Sequence, residues 1–289
     1  MPHPDWQNFH FDGIGTQWEV STPLPLDPRL RHDLLAIVER YDRTWSRFRS
    51  DSVVAEMSRR SGTFGMPAEA AVMGPLYRNL YRLTAGAMTP LIGGSLEHLG
   101  YDSGYSLRSR GILPPPSWDD VLDWDGSSLT VKAPLVLDVG AAGKGNLVDL
   151  LAAELRERGA TDFFIDASGD LYNGGAAPVT VGLEHPYDPQ RAVGTVSLGR
   201  GALCASASNR RAWGDGLHHV LDGATGAPVR TVVATWAMAD STMVADALAT
   251  ALFFVSGDEL QQDFDFSWLR IFSDGSAAYS ADFEGALFR

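Results

Sequence analysis

The sequence has a single cysteine in 289 residues, Cys204, which excludes an internal disulfide and a thiolate cage for zinc or an iron–sulfur cluster. It is also short of positive charge. Subtracting 36 acidic from 23 basic residues leaves −13, a field that repels nucleic acid and anionic membrane unless a basic patch offsets it, and no such patch is present. No segment approaches the roughly 20 apolar residues of a spanning helix. The opening Met1-Pro2-His3-Pro4-Asp5-Trp6 lacks a basic stretch followed by an apolar one. These absences lead us to expect a soluble cytoplasmic protein with no nucleic-acid partner and no membrane insertion. Three hydrolase signatures are missing as well: no Gly-x-Ser-x-Gly elbow, no His-Glu-x-x-His helix, and no neighbour that would activate Cys204.

What is present is enough apolar material, 45% of residues with 20% charged, for a substantial core. Residues 9–20 alternate loosely and carry aromatic and β-branched side chains, so they read as an opening strand, stopped by Pro23, Pro25 and Pro28. Leu30, Leu34, Leu35, Ile37, Val38 and Tyr41 recur at helical spacing and predict a helix from about 28 to 41, leading into Trp45-Ser46-Arg47-Phe48. A second helix is expected over about 68–84. Residues 100–134, rich in Gly, Pro, Ser and Asp around Pro114-Pro115-Pro116, read as an irregular excursion carrying short strands.

The most ordered pattern follows. Residues 135–139 read as a strand, 140–145 as a turn, 146–158 as a helix stopped by Gly159, and 163–166 as another strand, together a strand–helix–strand unit. Short β-rich runs come next at 179–184, 193–198, 217–221 and 229–236. A strongly apolar helix is expected over 241–255, ending at Gly257, and a terminal hairpin over 268–280 around Ser273-Asp274-Gly275. With no internal repeat, the economical assignment is one α+β domain over 1–289, with helices packed on mostly antiparallel sheet.

Several segments offer chemistry. The turn Asp138-Val139-Gly140-Ala141-Ala142-Gly143-Lys144-Gly145 enters a helix N-terminus, where unpaired N–H groups favour an anion and Lys144 adds a charge. Its glycine order matches neither a Walker loop nor a Rossmann fingerprint, and taken alone it reads more readily as a purely structural turn. Asp246 and Thr250 stand one helical turn apart among Ala245, Ala247, Ala249 and Ala251, supplying two hard oxygens suited to Mg²⁺. The plain alternative is an Asp on a solvated helix face, with Thr250 bonding its own backbone. His218-His219-Val220-Leu221-Asp222-Gly223-Ala224-Thr225-Gly226 puts an imidazole before a polar turn, and Ile165-Asp166-Ala167-Ser168-Gly169-Asp170 ends a strand in a small acidic one. An ordinary turn with a surface histidine, and an Asx turn, explain these two locally. Phe48 and Ala87-Met88-Thr89-Pro90 provide surface for a flat ring or belong to the core.

Taken in this order, the segments resemble the ApbE family, the FAD:protein FMN transferases, over about 15–257. Gly15-Thr16 and Trp45 to Ser52 resemble the family's first two motifs. Asp138 to Asp149 is similar to its Asp-Leu-Gly-Gly-Ile-Ala-Lys-Gly-x-x-x-Asp, Ser168-Gly169-Asp170 to its Gly-Gly-Asp, and His219 to Gly226 to its His-Ile-Ile-Asp-Pro-x-Thr-Gly. Asp246-Ala247-Leu248-Ala249-Thr250-Ala251-Leu252 is similar to its metal-binding helix. The resemblance implies an ApbE-like, T-fold-like architecture in which Mg²⁺ is held by Asp246 and Thr250 side chains and the Ala141 and Ala249 carbonyls. It places FAD against Ile14, Phe48, Ala87, Met88, Thr89, Asp138, Lys144, Gly169, Asp170, His219, Asp222 and Thr225. The implied reaction moves FMN from FAD onto a Ser or Thr hydroxyl of an acceptor flavoprotein and releases AMP, with His219 as the catalytic base and Asp246 as the second candidate. A Mg²⁺-dependent FAD pyrophosphatase and a non-catalytic FAD-binding protein are the alternatives. Three departures stand out: Thr89 where the family usually has Asp, Ser206-Ala207-Ser208-Asn209 for Thr-Ser-Gly, and Gly223 for Pro.

Overall fold

The computed structural model describes residues 5–288 and has an α+β architecture. Eight strands form the main sheet: Gln7–Gly13 (β1), Thr16–Thr22 (β2), Phe164–Asp166 (β3), Asp170–Asn173 (β4), Gly201–Ala207 (β5), Val232–Ala239 (β6), Ser267–Phe272 (β7) and Ala277–Tyr279 (β8). Their order across the sheet is their order along the chain, and every neighbouring pair is antiparallel. Four helices concern us: Pro28–Trp45 (α1), Ala70–Leu83 (α2), Gly143–Glu157 (α3) and Thr242–Ala251 (α4). Among the described residues, no helix is long and apolar enough to cross a membrane.

Period-2 alternation gives the sheet two buried faces. Ile165, Ala202, Cys204 and Ala237 face one core with the helices, whereas Phe164, Leu203, Trp236 and Leu269 face a second core. That second core is closed by a three-stranded sheet of Val179–His185, Asp188–Leu198 and Gly285–Leu287. Asp27 caps α1 by accepting from Arg29 N at 2.7 Å, Pro28 fills its first turn, and Leu34, Val38, Tyr41 and Trp45 form its buried stripe.

Several expectations are corrected. The opening strand over 9–20 is a hairpin, because Ile14 (φ 43°) and Gly15 (φ 78°) take the left-handed conformations of a tight two-residue turn. Residues 135–139 are not a strand. Leu135, Leu137 and Val139 are buried, but the backbone reaches only single carbonyls of two short helices and no neighbouring strand: Leu135 N–H donates to Met57 O at 3.1 Å and Asp138 N–H to Pro90 O at 2.8 Å. Core packing alone produces that alternation, so the strand–helix–strand unit does not exist.

The run over 217–221 shrinks to Leu217–His218, paired with Ala212–Trp213, and the 229–236 strand starts at Val232. Gly257 does not stop α4, whose last residue is Ala251. It opens the short helix Gly257–Leu260 beneath a Ser256/Glu259 capping box, and a Cβ there would fall 1.9 Å from the Trp268 ring.

Candidate active site

An open cavity of about 310 Å³ lies where the 87–89 loop, the 138–144 loop, the end of β5, Trp236 of β6, His219 and α4 converge. Ala87, Met88, Thr89, Asp138, Ala141, Lys144, Gly169, His219, Asp246 and Thr250 all line it, so ten residues scattered over 160 positions of sequence share one wall. The two elements on which the metal reading depends meet directly: Gly145 N–H donates to Asp246 Oδ2 at 2.9 Å. Gly145 permits this approach, since a Cβ there would fall 2.3 Å from the Thr242 carbonyl oxygen.

Asp149, one helical turn on, fixes α4 by its start. It accepts from Thr242 N at 2.8 Å, Met243 N at 3.0 Å and the Ser241 hydroxyl at 2.7 Å, placing an anion where the helix dipole favours one. Asp246 is therefore buried at 7% exposure and points into the cavity, which removes the alternative of a solvated helix face.

This geometry also changes how the glycine-rich turn works. The first N–H groups of α3 are already engaged, Gly143 N with Val139 O at 2.7 Å and Gly145 N with the Asp246 carboxylate. Lys144 is engaged too, its Nζ standing 3.0 Å from Asp170 Oδ2. A carboxylate of the protein itself thus sits where a phosphate was expected. Burial, and next the charge of Asp170, push the Asp246 carboxyl well above the ordinary carboxylate range, against the opposing pull of Lys144 and Gly145 N–H. Burial opposes the charge of Lys144, but Asp170 and Asp246 outweigh it and raise its pKa. Two carboxylates against one ammonium leave the floor in need of positive charge.

The donor set fits a small hard cation. Among the described residues no three His, Cys, Asp or Glu side chains cluster as a metal cage, so a cation here depends on mixed oxygens. Asp246, the Thr250 hydroxyl and the Ala141 carbonyl face the same cavity, and Mg²⁺ takes few protein oxygens besides water and phosphate. Ala249 does not line the cavity, and its carbonyl accepts from the Thr235 hydroxyl at 2.5 Å, which leaves it one lone pair.

The remaining expected residues lie off the cavity wall. Ile14 packs on the main core, and Thr16 lines the cavity in its place. The ring of Phe48 is occupied by Arg47, 4.1 Å from its centroid, and by Tyr105, stacked at 5.4 Å. Asp170 stands behind Lys144. Asp222 accepts from Ala224 N at 2.7 Å and Thr225 from Ala227 N at 3.2 Å, so both shape the turn rather than the cavity.

That turn docks on the cavity loop, with Gly223 N–H donating to Ala87 O at 2.7 Å. A Cβ on Gly223 would fall 2.6 Å from Thr89 Cγ2 and from Gly86 O. Two of the three departures therefore touch: the branched Thr89 occupies the space that Gly223 leaves open. Gly223→Ala is expected to destabilise the fold by about 1–3 kcal/mol through overpacking and to displace the 87–89 loop. Urea denaturation and FAD titration check both effects.

Burial above all, then the charges of Arg211 and His218, hold the His219 imidazole at a pKa of about 3. It is neutral at pH 7, and its Nδ1 is buried without a partner. Because the folded pKa lies below the unfolded one, this group costs no stability above pH 6.5 and progressively more as pH falls towards 3. Between pH 7 and 5 the loss is expected to be about 1–2 kcal/mol. His219→Gln is expected to flatten that interval of the urea-measured stability profile; an unchanged slope would refute the assignment.

Sequence reading missed Arg47, buried and paired with Asp138 at 2.6 Å, and the basic pair Arg210-Arg211 on the cavity rim. The signal for Arg47 was a lone charge inside the aromatic run Trp45 to Phe48.

The chain is similar to known proteins in sequence and in fold. Residues 14–264 match the ApbE family. A FAD:protein FMN transferase of Rhodobacter capsulatus is 32% identical over 198 residues, 63% of this chain and 37% of that protein's length. One from Vibrio cholerae is 24% identical over 251 residues, covering 80% of this chain and 74% of its relative. Among solved structures, an ApbE protein from Thermotoga maritima superposes with a TM-score of 0.80 at 21% identity, over 96% of this chain and 99% of the other. The flavin transferase ApbE from Vibrio cholerae gives 0.77 at 20% identity, over 96% and 98%. With the family match running through every motif that the cavity gathers, from Thr16 to Thr250, this chain belongs to the ApbE family.

Proposed function

We propose that this chain is a Mg²⁺-dependent FAD:protein FMN transferase, moving FMN from FAD onto a Ser or Thr hydroxyl of an acceptor flavoprotein and releasing AMP. The observation that carries the reading is the meeting of Asp246 and Thr250 with the 138–145 loop over one cavity. A diphosphate brings two negative charges to a chain of net charge −13, and it is stable there only where charge and oriented dipoles compensate locally.

Asp246 and Thr250, with the Ala141 and Ala249 carbonyls, are the residues that would hold Mg²⁺. When bound, the ion neutralises the diphosphate and fixes its orientation. The chain's own groups do the rest. The acceptor hydroxyl oxygen attacks the FMN phosphorus, the bond from that phosphorus to the bridging oxygen breaks, and AMP departs carrying that oxygen. The hydroxyl proton passes to a base. His219 presents an unpartnered Nδ1 for it, and a dianion in the cavity offsets the Arg211 charge that depresses its pKa. Asp246 is the second candidate base. Ala87, Met88 and Thr89 offer the flavin an apolar wall closed by the docked 222–226 turn.

The test is incubation with FAD, MgCl₂ and a Thr-containing acceptor, followed by intact-mass analysis of the acceptor and assay of AMP. An FMN increment with equimolar AMP is expected. AMP and free FMN without an adduct would mean water is the acceptor, and FAD retention without AMP would mean a binding protein.

A further inference from the structure

We infer that Arg211 is a phosphate-binding residue of this cavity, supplying the unspent side-chain positive charge that the FAD diphosphate meets. The inference rests on the FAD reading above and adds a residue to it.

Three side-chain cations line the cavity: Lys144, Arg210 and Arg211. Lys144 is committed to Asp170 at 3.0 Å and Arg210 to Glu184 at 2.8 Å. A fourth cation close by, Arg47, is committed to Asp138 at 2.6 Å. Among the described residues, Arg211 alone of the lining cations has no ion pair and no side-chain hydrogen bond. It lines the cavity together with Asp138, Lys144, His219 and Asp246, and its charge bears on all four.

The backbone under it is held. Trp213, two residues on, is buried with its indole N–H on Leu99 O at 2.9 Å, Ala212 pairs with His218, and the His219 imidazole reaches the Arg211 carbonyl. An anchored backbone carrying a free guanidinium costs little to organise around an anion. Arginine also matches phosphate oxygens in a two-pronged fashion that lysine does not. Since α3 spends its first N–H groups on Val139 and Asp246, the diphosphate has to find its donors elsewhere, and Arg211 faces the same space as Asp246 and Thr250.

The test compares wild type, Arg211→Ala and Arg211→Lys for FAD and riboflavin binding in Mg²⁺-free buffer, at several salt concentrations. Arg211→Ala is expected to weaken FAD about 10- to 100-fold and leave riboflavin, which has no phosphate, unchanged. Arg211→Lys is expected to recover part of the loss, and the salt dependence of FAD binding to fall in the Ala variant. Equal weakening of both ligands would mean a structural role, and unchanged FAD affinity and salt dependence would mean no phosphate contact; either overturns the inference. Where riboflavin binds too weakly to measure, the salt dependence decides alone. Wild type that binds FAD but yields neither adduct nor AMP would sink the transfer reading and leave this one standing, whereas wild type that fails to bind FAD both with and without MgCl₂ would sink both.

Discussion

Asp246→Ala is expected to reduce Mg²⁺-dependent AMP release from FAD by about 10³-fold while leaving the thermal transition within a few degrees of wild type. The two halves of that expectation come from the same surroundings. The carboxylate is 7% exposed beside Asp170, so in the absence of a cation it is held in an unfavourable setting that pushes its pKa up. Removing it relieves that repulsion. Against this, Gly145 N–H loses its acceptor, a cost of about 1–3 kcal/mol when unsatisfied, reduced here because the open cavity admits water. The terms oppose, so stability changes little, whereas the one carboxylate offered to a cation by α4 is gone. Asp246→Asn keeps an acceptor for Gly145 N–H without the charge, and is expected to fold at least as well and lose turnover equally. Calorimetric titration with MgCl₂ and an AMP assay measure both variants; retention of turnover in either would remove the metal site.

The sequence revealed those parts of the site that depend on short spacing. Asp246 and Thr250 share a helix face because helices repeat every 3.6 residues, and the small residues around them announce close approach. What it did not reveal was the carboxylate's partner, since Gly145 lies 101 positions away and only packing brings them together. The same holds for Arg47 with Asp138, 91 positions apart, and for Asp149 clamping the start of α4. Tertiary contacts also explain why Ile14 and Phe48 sit off the cavity: one is needed in a tight turn, and the other is already covered by Arg47 and Tyr105.

The fold was legible wherever a segment is amphipathic and obscure wherever burial is two-sided. The periodicity of Leu30, Leu34, Leu35, Ile37, Val38 and Tyr41 located α1, which packs one face and runs one turn further, to Trp45. β5, Gly-Ala-Leu-Cys-Ala-Ser-Ala, lies inside the main sheet with both faces covered, and its small residues, which let α4 sit close, carry no strand signal. Cys204 Sγ, 3.6 Å from Thr242 O, shows how close that helix comes. Conversely, 135–139 alternates like a strand because alternate residues enter the core, and alternation says nothing of whether a neighbouring backbone is there to pair with.

Arg47→Met is expected to destabilise the fold by about 3–5 kcal/mol, among the largest single effects available to this chain. The Arg47 side chain is 2% exposed and donates from Nε to Asp138 Oδ2 at 2.6 Å and from Nη1 to Tyr101 O at 2.8 Å, while its plane lies over the Phe48 ring. Burial pushes the Asp138 carboxyl up, but the charge and hydrogen bond of Arg47 outweigh it and hold the group below the ordinary range. Without Arg47 only burial and the weaker donors remain, so a charge is left in the wall of the cavity without its partner. Because the folded pKa is depressed, this stabilisation is complete above the unfolded value of 3.8 and disappears as pH falls through the folded value. The deficit of Arg47→Met relative to wild type is therefore expected to be largest at neutral pH and to narrow as pH falls through the Asp138 pKa of the variant, which burial without Arg47 raises above 3.8. Adding Asp138→Asn removes the uncompensated charge, and the double variant is expected to recover much of the lost stability but not FAD turnover, because the 138–142 loop no longer has its anchor. Urea denaturation of wild type and the two variants across pH decides it: a single variant within about 1 kcal/mol of wild type, or a double variant no more stable than the single, would show that the pair does not hold this loop.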